Sequence, residues 1–596
     1  MQTDIHYYFA DFFPDPSVKP YAYLLSKKLL QGHICIPLQL KEETPFEIPN
    51  PAALRKHTSG LLGHADQINA PFIIDQDFIY LQRYYKYELN IFNQIVHRLQ
   101  WSQNNRSVYE TQLLAIKTFI QEAFGDANVI VNGEPDWQII AVLRCMTQQL
   151  GIITGGPGTG KTTTLAKLLQ VLYAIQPECR VALAAPTGKA SMRMVESLRQ
   201  RSNTLSATLR EKIDQLKPHT LHALLGYQSN SVYFRHNKEN NLPYDCVVVD
   251  EASMIDVPMF SKLLDACALN TRLILLGDKD QLASVEAGSL LGDLCLSAGK
   301  LNLFREEESQ FIQQLLGSDQ SIISDQYKLD KTPLLSSAIT ELRHSHRFSK
   351  ESDIGQLSRA IISGDIEKTQ SMLKGDKKTN ISFIDFTDEK SFENFIEGYV
   401  RFLEQEDPEK ALVELNHLRV LVTVREGTSG LYFINQKIEK ILSENFPRLI
   451  KPHAGFYHNQ PVIVTKNNYE LGLYNGDIGI IRKEDGSNRL RAWFETSSNN
   501  KLRSFNPAYL SNCETAFAMT IHKSQGSEFN EVMVILPEQT DNQLLSRELL
   551  YTGITRARNK VIIMGNENIL STGVAQKVER FSGLQSRFQH IEKNDI

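Results

Sequence analysis

The residues with the clearest chemistry form the stretch GGPGTGKTTT at 155–164, directly after the apolar run GIIT. Its spacing is that of a P-loop, in which backbone N–H groups surround a phosphate. Lys161 would reach the outer phosphates, the Thr162 hydroxyl would bind Mg²⁺, and the following helix would present its positive N-terminal end to the anion. A chance glycine-rich turn is the alternative, and the strand and helix predicted on either side argue against it. The predicted nucleotide contacts of the loop are Gly155, Gly156, Pro157, Gly158, Thr159, Gly160, Lys161, Thr162 and Thr163.

A pair of acids, Asp250 and Glu251, follows the apolar run CVVV. Burying two adjacent carboxylates is costly unless they hold a cation or a proton. With a P-loop in the same chain, we expect Asp250 to hold Mg²⁺ through water and Glu251 to orient the attacking water. The alternative is an acidic helix N-cap. The two motifs together predict that the chain binds and hydrolyses a nucleoside triphosphate.

Short apolar runs alternate with helical stretches from residue 150 onward, which is typical of a parallel sheet with crossover helices. The second half of the chain repeats this texture, so two α/β halves are predicted. A block rich in Gly, Asn and Pro, with short alternating strands, predicts a small β-barrel inserted into the second half. The apolar runs are GIIT, RVALAAP, CVVVDE and RLILLGD, followed later by RVLVTV, TAFAMTIH, EVMVILP and KVIIMG.

Four compact units are expected from 596 residues, because a single core stops growing well below that length. The first unit is predicted to be mainly helical, with a helix from about Ile79. The predicted units are an N-terminal domain at 1–110, a first α/β domain at 111–345, a second at 346–449 and 513–596, and the barrel at 450–512.

Bulk composition is that of an ordinary globular protein, with 42% hydrophobic and 22% charged residues. The net charge of −5 neither favours nor excludes nucleic acid, since binding needs basic groups only on one face. The seven cysteines are scattered without a CxxC pair, which argues against a zinc ribbon and suits a reducing cytoplasm. No signal peptide is visible, and no apolar run reaches the roughly 18 residues that span a bilayer. We therefore expect a cytoplasmic protein with no membrane partner.

Seven motifs in a fixed order give the chain a family resemblance. They are GGPGTGKT, APTGKA, VVVDEASM, GDKDQL, SHRF, TIHKSQGSEF and YTGITRAR. In this order the chain resembles superfamily 1 DNA helicases, and more narrowly the RecD family, the alpha subunit of exodeoxyribonuclease V. The resemblance is dense over about 130–570 and looser before it. It implies two RecA-like domains in tandem, a barrel of the SH3-like type and the use of ATP with Mg²⁺.

The resemblance also implies roles for residues outside the P-loop. Gln138 would read the adenine edge, and Gln281 would couple the γ-phosphate to DNA. Arg347 and Arg556 would act as arginine fingers from the second half, supplying positive charge to the transferred phosphoryl group. Each arginine taken alone would be an ordinary surface cation. Gly526 and Glu528 would lie towards ATP, with Glu528 on the ribose, while Arg558 is left open because it could simply pair with an acid.

Contacts with single-stranded DNA are expected from backbone-binding and stacking residues. The stretch 225–245 predicts a strand, a polar turn and a strand, which the resemblance assigns as a pin where the duplex parts; a plain surface hairpin is the alternative. Tyr233, Phe234 and Arg235 would be its working residues, and Lys523 would face the DNA backbone or bridge to the ATP site. A structural imidazole is the alternative for His522. The other DNA-binding candidates are Pro186, Thr187, Lys189, Thr220, His222, Asn467, Asn468, Tyr474, Asn475, Thr520 and His522.

The resemblance implies partners and a direction as well. RecB-like and RecC-like subunits would dock on 1–110, and the motor would travel 5′ to 3′ on single strands and process double-strand ends for recombinational repair. No metal-nuclease constellation is recognisable, so any cutting would lie in another chain. Two alternatives stay open at this point. One is a stand-alone superfamily 1 helicase on DNA or RNA, disfavoured because such relatives carry a longer N-terminal extension; the other is an ATP-gated regulatory subunit.

Overall fold

The computed structural model describes residues 4–56, 60–65, 67–124, 130–131, 133–202, 206–228, 231–318, 322–348, 352–374, 380–468, 470–484, 486–495, 502–539 and 545–594. Within them, no helix combines the length and the apolar character needed to cross a membrane.

The first α/β lobe is built on a six-stranded sheet in which every strand pair is parallel. Its central strands are buried throughout, as expected when helices cover both faces. The helices are α5 (Arg106–Ala115), α6 (Lys117–Phe124), α7 (Trp137–Thr147), α8 (Lys161–Ile175), α9 (Gly188–Ser202), α10 (Ala207–Gln215), α11 (Leu221–Leu225), α12 (Val257–Ala266), α13 (Leu290–Ser297) and α14 (Glu306–Leu316). The strands are β5 (Ile130–Val131) and β6 (Glu134–Pro135), which form a separate pair, and β7 (Leu150–Gly155), β8 (Val181–Ala185), β9 (Pro218–Thr220), β10 (Cys246–Val249), β11 (Arg272–Gly277) and β12 (Ile339–Leu342).

Strand order in this sheet is β12-β7-β11-β10-β8-β9. The four predicted runs of the first half are confirmed as β7, β8, β10 and β11, and the short edge strands β9 and β12 were not predicted. Because the strands are parallel, their carboxyl ends lie at one edge. The P-loop, the Asp250–Glu251 pair and the loop after β11 therefore meet there, as in other open α/β sheets.

The second lobe contains a five-stranded parallel sheet in the order β13-β22-β21-β14-β20. The four predicted runs of this half are confirmed as β14, β20, β21 and β22. Its helices are α15 (Asp353–Ser363), α16 (Ile366–Leu373), α17 (Glu389–Ile396), α18 (Val400–Glu404), α19 (Pro408–Leu415), α20 (Leu431–Asn445), α21 (Arg547–Ile554) and α22 (Glu567–Ala575). Its strands are β13 (Ile381–Ile384), β14 (Leu418–Val422), β20 (Ala518–Thr520), β21 (Phe529–Ile535) and β22 (Ala557–Met564).

The inserted block forms a five-stranded antiparallel sheet in the order β18-β17-β16-β15-β19. It has its own apolar core, which includes Val462, Ile481 and Phe494. The insert ends about three residues later than predicted, because Thr515 pairs with Val462. The strands are β15 (Gln460–Val464), β16 (Ile478–Lys483), β17 (Leu490–Glu495), β18 (Leu502–Phe505) and β19 (Cys513–Thr515).

The N-terminal domain consists largely of helices, and it also contains a sheet that the sequence did not predict. A four-stranded sheet in the order β1-β4-β3-β2 accompanies its helices. Strand β4 covers Ile79, and the long helix begins only at Gln82, because aromatic and β-branched side chains in FIYL pair with β1 and β3. The elements are α1 (Ile5–Asp11), α2 (Lys19–Leu30), β1 (Cys35–Pro37), α3 (Pro51–Leu54), β2 (Leu62–His64), β3 (Phe72–Asp75), β4 (Phe78–Leu81) and α4 (Gln82–Asn104).

The C-terminal segment leaves the second lobe, although the sequence assigned it there. Helix α23 (Leu584–Asn594) packs on α4 and α13. Arg587 forms ion pairs with Asp75 at 2.5 Å and with the fully buried Glu88 at 3.2 Å. A buried carboxylate needs such a partner, so this pairing fixes the segment against the N-terminal domain. No motif marked it, because the contact joins residues about 500 positions apart.

Candidate functional site

A cavity of about 620 Å³ lies between the two α/β lobes and is lined by both. The P-loop and the acid pair border it on one side, and Gly526, Glu528 and Arg556 border it on the other. Such a volume is within the usual range for small-molecule sites. Every residue predicted to catalyse ATP hydrolysis lines it: Lys161, Asp250, Glu251, Gln281, Arg347 and Arg556.

The P-loop joins β7 to α8 through two glycines with positive φ, Gly158 at 76° and Gly160 at 88°. A Cβ on Gly160 would lie 2.2 Å from Nε2 of Gln138, so a side chain there would collide as well as strain the backbone. Lys161 donates from Nζ to the carbonyl oxygen of Gly155 at 2.7 Å. The ammonium is thus held inside the loop that was predicted to bind phosphate.

The acid pair occupies the carboxyl end of β10, as predicted. Burial and the charge of Glu251 raise the pKa of Asp250 to about 7. Glu251 has a φ of 51°, an uncommon conformation for a residue with a side chain, and its N–H donates to Oδ1 of Asp250 at 2.8 Å. Strained backbone of this kind concentrates at functional sites. Two half-buried, mutually repelling carboxylates form an environment that a divalent cation would stabilise.

Arg347 does not belong to the second lobe, which corrects its predicted placement. It follows β12 of the first lobe, and the peptides before it are fastened to the P-loop: the His346 N–H donates to the Gly158 carbonyl at 2.8 Å. Ser345 Oγ donates to the Pro157 carbonyl at 3.1 Å. The Cβ of Arg347 leaves no room for a side chain at Gly158. The guanidinium of Arg347 reaches across to Glu528 of the second lobe.

Glu528 receives two arginines in this cleft. Arg347 forms an ion pair with one of its oxygens, and Arg558 donates to the other at 2.9 and 3.1 Å. Burial alone would raise the pKa of Glu528, but Arg347 above all, with Arg558 and Arg193, lowers it to about 2. Glu528 is therefore ionised. The pairing agrees with the open alternative for Arg558, which is that it pairs with an acid.

Arg556 is buried at the end of α21 and donates to the carbonyls of Thr552 at 3.1 Å and Ser527 at 3.2 Å. These bonds aim its guanidinium from the second lobe into the cavity. Arg556 and the P-loop thus line the same cavity from different lobes, and its role as an arginine finger stays a prediction.

Gln138 borders the cavity at the start of α7, and both ends of its amide already have protein partners. Nε2 donates to the Thr159 carbonyl at 3.1 Å and lies 3.0 Å from Nε2 of His346, while Oε1 accepts from Lys167 at 3.2 Å. The amide links the P-loop to the loop that follows β12. Its reading of adenine stays a prediction.

A contact between the lobes that the sequence did not predict surrounds Gln281. Oδ2 of Asp278 accepts from Gln281 Nε2 and from the Tyr551 hydroxyl, both at 3.0 Å. Beside it, Thr552 Oγ1 accepts from the Leu282 N–H at 2.9 Å. Tyr551 lies within the motif YTGITRAR, but nothing in the sequence indicated its partner. The loop after β11 is therefore tied to α21 of the second lobe.

Replacing Tyr551 with Phe should lower the predicted ATP hydrolysis about tenfold. The buried Asp278 carboxylate would lose a donor, at a cost of about 1–3 kcal/mol, and Gln281 would lose its fixed orientation. The measurement is kcat of the full chain, with the unfolding midpoint recorded alongside. Tyr509→Phe, at an exposed tyrosine of the insert, is the matched control. Equal kcat for the two variants would contradict a role for this contact.

Comparison with known proteins gives consistent matches. A family model described as an AAA domain matches 138–287, and one described as a UvrD-like helicase C-terminal domain matches 515–564. The RecBCD enzyme subunit RecD of Haemophilus influenzae is 36% identical over 75% of this chain and 72% of its own length. The RecBCD enzyme subunit RecD of Mycolicibacterium smegmatis is 32% identical over 97% of this chain and 94% of its own.

This chain belongs to the RecD family. It is an ATP-dependent DNA helicase, in keeping with the helicase domain that matches its second lobe. A solved structure, the Pif1 helicase from Bacteroides in complex with ADP-AlF3 and ssDNA, is similar with a TM-score of 0.37 and 14% identity. The comparison covers 75% of this chain and 94% of that chain.

The prediction of a strand–turn–strand hairpin at 225–245 is wrong for the residues that the structure describes. Residues 231–245 form turns with one isolated bridge, between Asn237 and Asn240, and residues 229–230 lie outside the described ranges. The Asn237 side chain accepts from the N–H groups of Glu239 and Asn240, and such local bonds compete with a strand ladder. Phe234 packs against the body of the lobe, under the Lys262 ammonium.

Among the predicted pin residues, Tyr233 is open to solvent, with 76% of its surface exposed. Arg235 is also exposed. The His222 ring lies 5.7 Å from that of Phe234, so these two candidates are neighbours. Their contact with DNA stays a prediction.

The insert meets the first lobe at the start of α9, beside a second cavity of about 530 Å³. A Cβ on Gly188 would lie 3.2 Å from that of Tyr474, so the tyrosine packs closely over the glycine. Thr220 and Tyr474, both DNA-binding candidates, line this cavity together. Thr220 Oγ1 also caps α11.

Four more DNA-binding candidates lie in the insert and at the end of the first lobe's sheet. Asn467 and Asn468 accept from backbone N–H groups of Asn475 and Leu471, so both amides order the β15–β16 connection. Pro186 and Thr187 follow β8, and Thr187 Oγ1 accepts from the Ala190 N–H at 3.2 Å.

Lys189 is half-buried rather than open. Burial first, then Arg193 and Arg419, lowers its pKa to about 7, and Asp477 of the insert opposes this. Its surroundings are those of an interface between the first lobe, the second lobe and the insert.

The polar tip after β20 contains the last candidates. Thr520 is buried and its Oγ1 accepts from the Lys523 N–H at 3.4 Å. Lys523 pairs with Glu514 at 3.2 Å. His522 is half-buried, and burial followed by Arg580 lowers its pKa. Whether His522 is a structural imidazole or faces DNA stays a prediction.

Proposed function

We propose that this chain is the motor subunit of a RecBCD-type helicase–nuclease, working in the cytoplasm. It would use ATP to travel 5′ to 3′ along single-stranded DNA and to open double-strand ends for recombinational repair. The observation that carries the proposal is the inter-lobe cavity, which brings Arg556 of one lobe to the P-loop of the other. Hydrolysis that needs groups from two lobes depends on their closure, which is how a nucleotide cycle can move a strand.

Each lobe supplies part of the reaction centre. Lys161 and the loop N–H groups bind the phosphates, Glu251 orients water, and Arg347 and Arg556 stabilise charge on the transferred group. Thr162 and Asp250 would hold Mg²⁺, and the raised pKa of Asp250 is the imbalance that a cation would correct. When bound, the ion would neutralise developing phosphate charge. Two protein ligands suffice, since Mg²⁺ keeps waters and phosphate oxygens as its other ligands.

The second half of the proposal concerns how the chain binds single-stranded DNA. Thr220, Tyr227 and Tyr474 line the cavity between the first lobe and the insert. The His222 ring lies 6.3 Å from that of Tyr227, and Tyr233 is exposed. Aromatic and hydroxyl groups of this kind bind single strands without sequence preference. The insert, in the SH3-like role, would close over the strand, and RecB-like and RecC-like subunits would dock on the N-terminal domain. The extent of the match to RecD of Mycolicibacterium smegmatis supports the subunit assignment.

The test combines co-purification with directional unwinding. The full chain is isolated from its native cell, the bound chains are identified by mass, and duplexes with a 5′ or a 3′ single-stranded tail are offered with ATP. We expect RecB-like and RecC-like chains and unwinding of the 5′-tailed duplex. Preference for the 3′ tail would overturn the direction. An isolated chain that is monomeric and processive by itself would favour the stand-alone helicase.

A further inference from the structure

Arg193 was not among the predicted site residues, yet it crosses the same cavity. It lies on α9 of the first lobe and lines the cavity with Lys161 and Asp250. Its Nη1 donates to the carbonyl oxygen of Gly526 in the second lobe at 2.5 Å. Ala190, one turn earlier on α9, lies 3.5 Å from where a Cβ of Gly526 would be. The face of α9 and the glycine turn are therefore in direct contact.

The guanidinium of Arg193 has more donors than partners. It carries five N–H groups, and its hydrogen bond to Gly526 is the only one it makes with the described residues. The carboxylate that attracts it most, Glu528, is already shared by Arg347 and Arg558. Burial lowers the pKa of Arg193, and repulsion by Arg556 and Arg558 adds to this. A cation in this position would be stabilised by a further anion.

We propose that Arg193 binds a phosphate oxygen of the nucleotide while it keeps its bond to Gly526. The inference rests on the proposed function, because it takes the ligand of this cavity to be ATP. A guanidinium suits the double contact, since its planar fork presents one edge to the carbonyl and another to the phosphate. Arg193 would then be a nucleotide-binding residue of the first lobe. Its one guanidinium would contact both the phosphate and Gly526 of the second lobe.

The test measures ATP dependence in the full chain carrying Arg193→Ala or Arg193→Lys. We expect Arg193→Ala to raise KM for ATP in the DNA-stimulated reaction about tenfold or more, with kcat within about threefold of the wild type. A contact made equally in the ground state and transition state has that effect. Arg193→Lys should give an intermediate KM, because one ammonium cannot reproduce the fork. The dissociation constant of ADP, measured by titration calorimetry, should rise in parallel with KM.

Arg210→Ala, at an exposed arginine of α10 outside the cavity, is the matched control and should leave both constants unchanged. Unfolding midpoints show whether each variant is folded; if Arg193→Ala is not, Arg193→Lys and Arg193→Gln decide. Unchanged KM and ADP affinity in a folded variant would overturn the inference, and so would a loss confined to kcat. Failure of the proposed function looks different: the wild type would then hydrolyse no ATP, or Lys161→Gln would hydrolyse it normally.

Discussion

Lys161→Gln is expected to remove nearly all ATP hydrolysis, with a fall in kcat of at least about 10²- to 10³-fold. The lysine neutralises phosphate charge in a site that excludes water, where preorganised positive charge contributes most. The structure strengthens this expectation, because the loop carbonyls of Gly155 and Gly156 already hold the ammonium inside the P-loop. Glutamine keeps a hydrogen-bond donor on a side chain that is one atom shorter, but it removes the charge. The measurement is steady-state ATP hydrolysis by the full chain with single-stranded DNA.

Lys440→Gln is the matched control, since Lys440 lies exposed on α20 and its closest acid is 3.9 Å away. That variant should retain wild-type hydrolysis. Unwinding by the assembled complex is measured in parallel. If Lys161→Gln left that unwinding unchanged, the chain would be no motor, and the ATP-gated regulatory subunit would become the better description.

Arg556→Ala should lower kcat about 10³-fold while nucleotide affinity changes only a few-fold. An arginine supplied to the transferred phosphoryl group contributes mainly in the transition state, and such residues are worth 10³–10⁵ in kcat. Arg556 is held in place by the Thr552 and Ser527 carbonyls, so its direction into the cavity does not depend on solvent-exposed contacts. The measurements are kcat at saturating ATP and the dissociation constant of ADP.

Arg558→Ala provides the comparison within the same motif. Its side chain is about half exposed and pairs with Glu528, so we expect kcat to fall by a few-fold at most. Arg556→Lys keeps a charge but not the fork, and its unfolding midpoint separates a catalytic loss from a misfolded helix end. Equal losses in Arg556→Ala and Arg558→Ala would count against Arg556 as a finger.

Local pattern was sufficient for much of the fold. The strands before the P-loop, the acid pair and the later motifs are continuous apolar runs, and such runs have few alternatives to burial in a parallel sheet. The edge strands β9, β12 and β13 escaped prediction because they are short and take their stability from pairing with a neighbour. The prediction of a hairpin over 231–245 failed for a different reason. There the Asn237 side chain accepts hydrogen bonds from nearby backbone N–H groups, which in a hairpin would bond to a partner strand.

The sequence by itself determined which chemical groups this protein carries and roughly where they lie: a P-loop, an acid pair at the end of a strand, and arginines at fixed motifs. These motifs are defined by the types and spacing of a few neighbouring residues, which folding does not change. Tertiary structure alone decided which groups meet. It placed the backbone of Arg347 on the P-loop, brought Tyr551 to Asp278 and Arg193 to Gly526, and carried Arg587 to Glu88. Each of these contacts joins distant segments. Burying a polar group costs free energy unless it finds a partner, and these groups find theirs on a segment that no local pattern identifies.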